Sequence, residues 1–294
     1  MSAPSSSANL GAGFDVVALA HDAYYSRASA KVESGCGVHV KFKGFDPGPD
    51  NTVRRALEIF LRRMGICKSI EVEVENRIPV GRGLGSSAAS AVAALAAVAE
   101  EAGIKISPLE AAEICGLAEE AAAGSPHFDN SSAAAFGGVV VITNLNPLRV
   151  KSFMTRLNLV VAVPDVQPQP MKTKIMRDVL PKDVPFKTYA RQLSRVAALA
   201  LGLASGDLEL IASGMEDDVV VPARAPLVPL YSEARRAALE AGALGFTISG
   251  AGPSVLALVR EADAENVAHA VRSAYAKAGI SVEVKIAQTT KGAL

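Results

Sequence analysis

The spacing of apolar side chains predicts alternating helices and strands in the first half of the chain. Apolar residues recur at helical intervals between Asp50 and Met64, where Asp50 or Asn51 can cap the first turn. Residues 69–75 alternate strictly between apolar and charged side chains, which predicts a half-buried strand. Further predicted elements are an alanine-rich helix at 88–103, a helix that opens with a capping box at 107–110, and a buried strand at 139–143.

The second half predicts the order β-α-β-β-α-β once its middle helices are treated as one layer, and this is the ferredoxin-like order. Residues 145–152 interrupt two apolar runs, so we expect an N-terminal domain of residues 1–148 and a C-terminal domain of residues 149–294. Strands are predicted at 159–163, 246–249, 255–259 and 281–287, and helices at 174–179, 186–203, 208–215, 232–241 and 264–278.

Composition narrows the possible functions. The 294 residues carry 30 Lys+Arg and 30 Asp+Glu, and this balance argues against a nucleic-acid partner while leaving room for a local anion pocket. The scattered Cys36, Cys67 and Cys115 are typical of buried thiols in a cytosolic protein rather than of a disulfide framework. The chain shows neither a secretory signal nor an apolar run long enough to span a bilayer. These features predict a cytoplasmic protein without a membrane partner.

A glycine-rich segment, VGRGLGSS at residues 80–87, leads directly into the alanine-rich helix and predicts an anion site. Gly83 and Gly85 allow close backbone approach and positive φ, and Ser86 and Ser87 follow where free N–H groups and the helix dipole favour an anion. The segment lacks the lysine of a P-loop and the third glycine of the dinucleotide fingerprint. The simpler alternative is a serine-capped helix entered by a flexible loop.

Four segments in this order resemble the GHMP kinases, a family that includes galactokinase, homoserine kinase and mevalonate kinase. They are SANLGAGFD at 7–15, IPVGRGLGSSAA at 78–89, HFDNSSAAAFGG at 127–138 and ISGAGPSVLAL at 248–258. The resemblance implies a two-domain α+β fold, with an N-terminal mixed α/β domain containing a left-handed-type βαβ unit and a C-terminal ferredoxin-like domain. It also implies a homodimer. Because only MSAPSS precedes the first motif, we expect the family's first strand to be short or absent.

The same resemblance implies ATP as phosphoryl donor and Mg²⁺ as cofactor. It assigns the metal to Ser87 and to a glutamate on the helix before HFDN, best matched by Glu119, with Glu120 as the neighbouring alternative. A hydroxyl and a carboxylate, together with phosphate oxygens, suit Mg²⁺. The residues expected to bind ATP are Pro79, Val80, Gly81, Arg82, Gly83, Leu84, Gly85, Ser86, Ser87, Ala88 and Ala89.

Within the family, TKIMRDVLP at 173–181, EDDVVVPARAPLVP at 216–229 and HFDN at 127–130 resemble the homoserine-kinase branch. L-Homoserine is a zwitterion with a side-chain hydroxyl. Its carboxylate would suit arginine, whose planar fork matches two oxygens, and its ammonium would suit a carboxylate. The expected substrate contacts are Asn9 and Asp15 for the ammonium, Arg177 and Arg224 for the carboxylate, His127 and Asn130 for the hydroxyl, and Gly250.

The catalytic residues implied are Asn130, Ser87 and Glu119. Asn130 occupies the position where some relatives carry an aspartate base, and asparagine cannot accept a proton. We therefore expect catalysis by positioning and charge stabilisation, because phosphoryl transfer has a loose transition state. Asp129 is the alternative base, although alternating side chains along an extended segment would point it away from the face of Asn130.

Three other functions remain open. The first is another small-molecule kinase of the same family, acting on shikimate, mevalonate or a sugar. The second is a nucleotide-binding regulator without catalysis. The third, an NAD-dependent oxidoreductase, is disfavoured by the incomplete fingerprint.

Overall fold

The computed structural model describes residues 1–123, 127–167 and 172–294. A first sheet has the strand order β3-β4-β2-β5-β6, and β1 also pairs with β2. All its pairings are antiparallel except β3–β4, which is parallel. Its strands are β1 (Ser2–Asn9), β2 (Gly13–Ser34), β3 (Gly37–Lys43), β4 (Lys68–Asn76), β5 (Val139–Leu145) and β6 (Leu148–Phe153).

The parallel pair β3–β4 is joined by helix α1 (Thr52–Met64), which forms the expected βαβ unit; its left-handed crossing remains a prediction. The Asn51 side chain caps this helix by accepting a hydrogen bond from the backbone N–H of Arg54 (2.9 Å). Gly65 ends it in the left-handed conformation (φ 64°). Both boundaries therefore follow from local residues that the sequence displays.

Helix α2 (Ser86–Glu101) lies at the centre of the first domain. Every side chain from Ala88 to Ala99 is buried, as expected for a helix that is apolar on all sides. It packs against the first sheet, α1, α3 (Pro108–Ala123) and α4 (Asp129–Phe136). Because most side chains of α2 are alanine, the neighbouring elements approach it closely. Their packing also fixes the position of the glycine loop at the start of the helix.

The second sheet has the strand order β10-β7-β9-β8, and all its pairs are antiparallel. This arrangement confirms the ferredoxin-like prediction for the C-terminal domain. The strands are β7 (Asn158–Pro164), β8 (Gly245–Ile248), β9 (Val255–Val259) and β10 (Val282–Gln288). The helices are α5 (Lys172–Asp178), α6 (Phe186–Ser205), α7 (Leu208–Met215), α8 (Val220–Arg224), α9 (Tyr231–Glu240) and α10 (Ala264–Lys277).

The two sheets share a core through the alternating faces of β7. Leu159 and Val161 join the core that includes the first sheet, whereas Val160 and Ala162 pack with α9 and α10. After β10 the chain returns to the first domain, where the backbone N–H of Thr290 donates to the carbonyl of Ala20 (3.1 Å). The domains therefore meet along a packed seam, and the site lies at this seam.

One expectation about the strands was wrong, and two strands were not predicted. The first strand is neither short nor absent, because β1 runs for eight residues. The long strand β2 and strand β3 had no sequence prediction. Strand β6 pairs with β5 in the first sheet, so a boundary at residue 148 would cut a hairpin. The domain boundary remains a prediction, and the hairpin favours moving it to the end of β6.

The cysteine expectation was wrong for two of the three residues. Cys36 and Cys67 form a disulfide with a Cα–Cα distance of 5.0 Å. They lie just before β3 and β4, and the parallel register of these strands, with Gly37 opposite Ser69, brings the two turns together. Sequence separation concealed this proximity. Cys115 is a buried free thiol, as expected. In the described part of the chain, no helix is long and apolar enough to cross a membrane.

Candidate active site

The glycine loop has the backbone geometry that its sequence predicts. Gly81, Gly83 and Gly85 have φ values of 69°, 78° and 65°, which favour glycine. A Cβ on Gly83 would overlap the carbonyl oxygen of Ser249, and a Cβ on Gly85 would overlap the hydroxyl of Ser6. Close packing as well as conformation therefore requires glycine at these last two positions.

Helix α2 begins at Ser86, and Gly85 occupies its N-cap position without a side-chain cap bond. The Ser86 hydroxyl instead accepts from Nδ2 of Asn76 (2.7 Å) and donates to the carbonyl of Ile78 (3.3 Å). This arrangement contradicts the serine-capped alternative. Helix N–H groups without a side-chain cap, together with the dipole, make this end of α2 suitable for an anion.

A cavity of about 370 Å³ separates the glycine loop from the polar residues of the other motifs. Three residues expected to bind ATP do not line it: Pro79, and Ala88 and Ala89, whose side chains are fully buried. The predicted site residues that do line it are Asn9, Asp15, Val80, Gly81, Arg82, Gly83, Leu84, Gly85, Ser86, Ser87, Glu119, His127, Asn130, Arg177, Arg224 and Gly250.

Ser87 and Glu119 form a hydroxyl–carboxylate pair at the loop end of the cavity. The Ser87 hydroxyl donates to Oε1 of Glu119 (2.5 Å). Burial raises the pKa of Glu119 to about 7, the charge of Asp129 adds to this effect, and the Ser87 hydrogen bond opposes it. A destabilised carboxylate beside a hydroxyl suits a divalent cation that is completed by phosphate oxygens and water. The side chain of Glu120, the alternative ligand, lies outside the described residues.

The opposite end of the cavity carries three charged side chains and a histidine, drawn from four distant segments: Asp15, His127, Arg177 and Arg224. Nη2 of Arg177 donates to both carboxylate oxygens of Asp15 (3.0 and 3.1 Å) and to Nδ1 of His127 (3.2 Å). Because arginine can only donate, Nδ1 of His127 is the acceptor. Burial and the adjacent Arg177 lower the pKa of His127, which favours the neutral ring. The opposite charges of Asp15 and Arg177 thus satisfy each other by direct contact at the cavity wall.

Arg224 is only 4 % exposed, although it carries a full charge. Its Nε donates to the carbonyl of Met176 (2.8 Å) and its Nη1 to the carbonyl of Gly250 (3.2 Å). Burial lowers the pKa of its guanidinium, which the nearby carboxylate of Asp15 opposes. The ring of Phe14 lies 5.1 Å from the Arg224 guanidinium and 5.4 Å from that of Arg177. This aromatic residue was not among the predicted site residues, although it lies inside the first motif.

Asn9 holds two loops together. Its Nδ2 donates to the carbonyl of Gly250 (3.0 Å), and its Oδ1 accepts from the backbone N–H of Asp15 (3.0 Å). Both Asn9 (φ 74°) and Asp15 (φ 60°) adopt left-handed backbone conformations, which are uncommon for residues other than glycine. Such conformations cluster at functional sites, where the surroundings hold them. The side chain of Asn9 therefore orients Asp15.

Asp129 and Asn130 begin helix α4, so the assumption of an extended segment was wrong. Both side chains line the cavity, and Nδ2 of Asn130 donates to Oδ1 of Asp129 (3.1 Å). Ser6, which the sequence analysis also missed, donates to Oδ1 of Asn130 (2.9 Å). Burial, with the charge of Asp15, raises the pKa of Asp129 to about 6. The amide of Asn130 is therefore held at both ends.

A second cavity of about 300 Å³ adjoins the first and shares Val80, Ser86 and Ser87 with it. It is partly apolar, with Phe42 and Phe45 near the end of β3. This cavity was not predicted from the sequence, because neither β3 nor its packing was predicted. A flat aromatic base could enter this space while its phosphates lie along the loop.

An anion-binding glycine loop, a hydroxyl–carboxylate pair and a facing charge cluster define an ATP-dependent small-molecule kinase. Family models described as the GHMP kinases N terminal domain and GHMP kinases C terminal match residues 51–138 and 197–277. The chain belongs to the GHMP kinase family. This finding confirms the resemblance that its four motifs carry.

The chain is similar to homoserine kinases along its full length. It is 62 % identical to the homoserine kinase of Pyrobaculum aerophilum, over 100 % of this chain and 99 % of that one. It is 37 % identical to the homoserine kinase of Thermoplasma acidophilum, over 99 % and 94 % of the two chains. Among solved structures, the homoserine kinase of Cytophaga hutchinsonii superposes with a TM-score of 0.91 at 32 % identity, over 99 % and 94 % of the chains.

Proposed function

We propose that this kinase transfers the terminal phosphoryl group of ATP to L-homoserine, giving O-phospho-L-homoserine for threonine biosynthesis. The observation that carries the proposal is the charge cluster of Asp15, Arg177 and Arg224, which faces the glycine loop across one cavity. The homoserine kinases to which the chain is similar over its full length also support it.

A zwitterion would fit this cluster by replacing an internal ion pair with its own charges. The ligand's ammonium would bind Asp15, and its carboxylate would bind Arg177 and the buried Arg224. Each protein charge then keeps an opposite partner, so neither the half-buried Asp15 and Arg177 nor the buried Arg224 is left unpaired. An acceptor that lacks either charge would leave one of these groups without compensation, and the cost of that loss is the basis of specificity.

The triphosphate of ATP would lie along the glycine loop at the start of α2, with the base in the second cavity. The donor set present fits Mg²⁺, and Ser87 and Glu119 would hold it. When bound, the ion supplies positive charge that neutralises the phosphate oxygens. Arg82 lines the same cavity with a largely buried side chain, 3.8 Å from the exposed carboxylate of Asp165, and would add positive charge beside the same oxygens.

Asn130 would orient the acceptor hydroxyl, because its amide is fixed between Ser6 and Asp129. A loose transition state requires little activation of the attacking oxygen, and the proton can leave late to a phosphate oxygen. Asp129 lines the same cavity and is the alternative base, and its raised pKa keeps that alternative testable.

The proposal is tested by ADP release with L-homoserine, shikimate, mevalonate and galactose as acceptors. We expect activity with L-homoserine alone. Two analogues sharpen the test: 4-hydroxybutyrate lacks the ammonium, and 2-aminobutane-1,4-diol lacks the carboxylate. Wild type should reject both, whereas Asp15→Asn should lose its discrimination against 4-hydroxybutyrate specifically. Preference for another acceptor, or ATP binding without turnover, would refute the proposal.

We further infer a homodimer in the cytoplasm. Helix α6 exposes apolar side chains at intervals of three to eight residues, with Phe186 82 % and Leu201 63 % exposed. An exposed apolar stripe of this kind, which also includes Tyr189 and Leu193, is typical of a protein interface. Light scattering should give twice the chain mass for wild type, and Leu193→Glu, in the middle of the stripe, should give the monomer.

A further inference from the structure

A chain of buried hydroxyls links His21 on β2 to the glycine loop. Ser5, Ser7, His21 and Ser249 are all fully buried. Nδ1 of His21 lies 3.1 Å from the Ser5 hydroxyl, and Nε2 lies 3.2 Å from the Ser7 hydroxyl. The Ser249 hydroxyl is 2.7 Å from that of Ser7 and 2.7 Å from the carbonyl oxygen of Gly83. This chain of hydrogen bonds therefore ends on the glycine loop itself.

The number of protons on each group determines which atom donates in each bond of this hydrogen-bond chain. The Gly83 carbonyl can only accept, so the single proton of Ser249 belongs to that bond. Ser7 then donates to Ser249 and must accept from Nε2–H of His21. This tautomer leaves Nδ1 as an acceptor that faces the hydroxyl of Ser5, whose single proton is shared between Nδ1 (3.1 Å) and the carbonyl oxygen of His21 (3.0 Å). Burial lowers the pKa of His21 to about 3, which is consistent with the neutral ring that the direction requires.

The hydrogen bond to the Gly83 carbonyl also determines the direction of the next N–H group, that of Leu84. In a trans peptide the C=O and the following N–H point in opposite directions. An anion site must turn N–H groups towards the ligand and keep carbonyl oxygens away from it. Three consecutive loop carbonyls are turned inward by donors from outside the loop: Ser254 N–H on Arg82 (3.2 Å), the Ser249 hydroxyl on Gly83, and Ser6 N–H on Leu84 (3.1 Å).

Of these three donors, only the Ser249 hydroxyl, which donates to Gly83, belongs to a side chain. His21 is connected to it through Ser7. We propose that His21, acting through Ser7 and Ser249, is a positioning residue that orients the Gly83–Leu84 peptide for the phosphates of ATP. It touches neither substrate. This role rests on the proposed function for its nucleotide and adds a residue to the site that no motif contains.

Two serines in the same turn give a matched test. Ser249→Ala removes the donor to Gly83. Ser254→Ala removes an equally buried hydroxyl that has no partner among the described residues. The dissociation constant of ATP, measured by titration calorimetry, should rise about three- to tenfold in Ser249→Ala. It should change less than about twofold in Ser254→Ala, the size of a surface substitution. Equal shifts in both variants would overturn the proposal.

Two substitutions of His21 test the end of the hydrogen-bond chain that lies away from the glycine loop. His21→Leu removes both ring nitrogens, whereas His21→Gln keeps an amide that can donate towards Ser7. We expect weaker ATP binding in the first variant and partial recovery in the second, with the KM for L-homoserine unchanged. In the double variant His21→Leu/Ser249→Ala the loss should match that of one single variant, since both break one unit.

Several results would contradict this role. A lower Tm in His21→Leu with unchanged ATP affinity would make His21 a structural residue only, and so would effects that multiply in the double variant. If His21→Leu does not fold, Ser7→Ala replaces it in the same cycle. Because the calorimetric readout needs no acceptor, a wild type that binds ATP but ignores L-homoserine would refute the proposed acceptor and leave this inference standing.

Discussion

The two ends of the cavity bind charge by different physical means. At the loop end, an anion meets backbone N–H groups and the start of α2 as well as Arg82 and the proposed metal site, so the backbone path decides where the anion lies. At the other end, Asp15, Arg177 and Arg224 supply full side-chain charges drawn from three separate segments. The first end depends on which residues allow the backbone path, and the second depends on which charges face each other.

This difference has a consequence for the ligand-free protein. The loop end needs no counter-charge, because backbone dipoles can be solvated without one. The charge cluster satisfies itself through the Asp15–Arg177 ion pair (3.0 Å). A zwitterion can exchange with that pair at little electrostatic cost, whereas a simple anion cannot. We therefore expect substitutions at the loop to affect ATP and substitutions in the cluster to affect the acceptor.

The largest expected effect is at Gly83. Gly83→Ala combines a positive φ (78°) with a Cβ that overlaps the carbonyl of Ser249, so the loop must move. A displacement of about 1 Å costs roughly 100-fold in rate, and we expect kcat/KM for ATP to fall at least that far. Gly81→Ala is the control: its φ is similar (69°), but its Cβ would meet no described atom within 4 Å. Equal losses of kcat/KM in the two variants would mean that φ strain alone causes the loss.

Ser87→Ala should have the next largest effect, because Ser87 is the loop's one hydroxyl directed at Glu119. Loss of one such contact to the transition state costs about 10–1000-fold in kcat. Ser86→Ala is the matched control, since that hydroxyl is bonded to Asn76 and Ile78 instead. Steady-state kinetics at saturating L-homoserine would separate the two. Wild-type turnover in Ser87→Ala would remove it from the metal and phosphate site.

The loop end was the more predictable of the two from sequence. Its glycines, its serines and the alanine helix are adjacent in the chain, so local rules for positive φ and helix starts apply directly. The ferredoxin-like order was accessible for the same reason, since its strands and helices have clear apolar periods. The helix caps at Asn51 and Ser107 likewise form where their residues indicate.

The rest depends on packing between distant segments. Strand β2 escaped prediction because its first part is buried on both faces, so that its apolar and polar residues do not alternate. Helix α4 begins at Asp129, in a segment rich in serine and asparagine, and its burial comes from tertiary contacts. Phe14, Ser6 and the disulfide between Cys36 and Cys67 required the three-dimensional arrangement. The charge cluster was assigned through family resemblance rather than derived.

Arg224→Lys tests the acceptor end with a smaller expected effect. Lysine keeps the charge but cannot reproduce the planar fork that contacts Met176 and Gly250. Binding of L-homoserine should weaken by about 1–3 kcal/mol, seen as a higher KM for L-homoserine with the KM for ATP unchanged. Arg235→Lys, at an exposed pair with Glu216, is the control. An unchanged KM for L-homoserine in Arg224→Lys would remove Arg224 from the acceptor site.

Asp129→Asn lies between the two ends, and its expected effect on kcat is the smallest. Asparagine can still accept from the backbone N–H and the amide of Asn130, so positioning is kept while basicity is lost. If no strong base is needed, kcat should stay within about tenfold of wild type, the lower limit of the usual base contribution being about 100-fold. Loss of nearly all kcat, with ATP and acceptor binding intact, would identify Asp129 as the base.

The same variant should also change how stability depends on pH. In the folded chain the pKa of Asp129 is raised to about 6 from 3.8, so between these values the folded state binds more protons than the unfolded state. Wild-type stability therefore decreases as pH rises through this range and levels off above it. Asp129→Asn removes that decrease. Its Tm should exceed that of wild type at pH 8, and the advantage should shrink as pH falls below 6. If the difference in Tm were constant from pH 4 to pH 8, the titration of Asp129 would not be the cause of the pH-dependent stability.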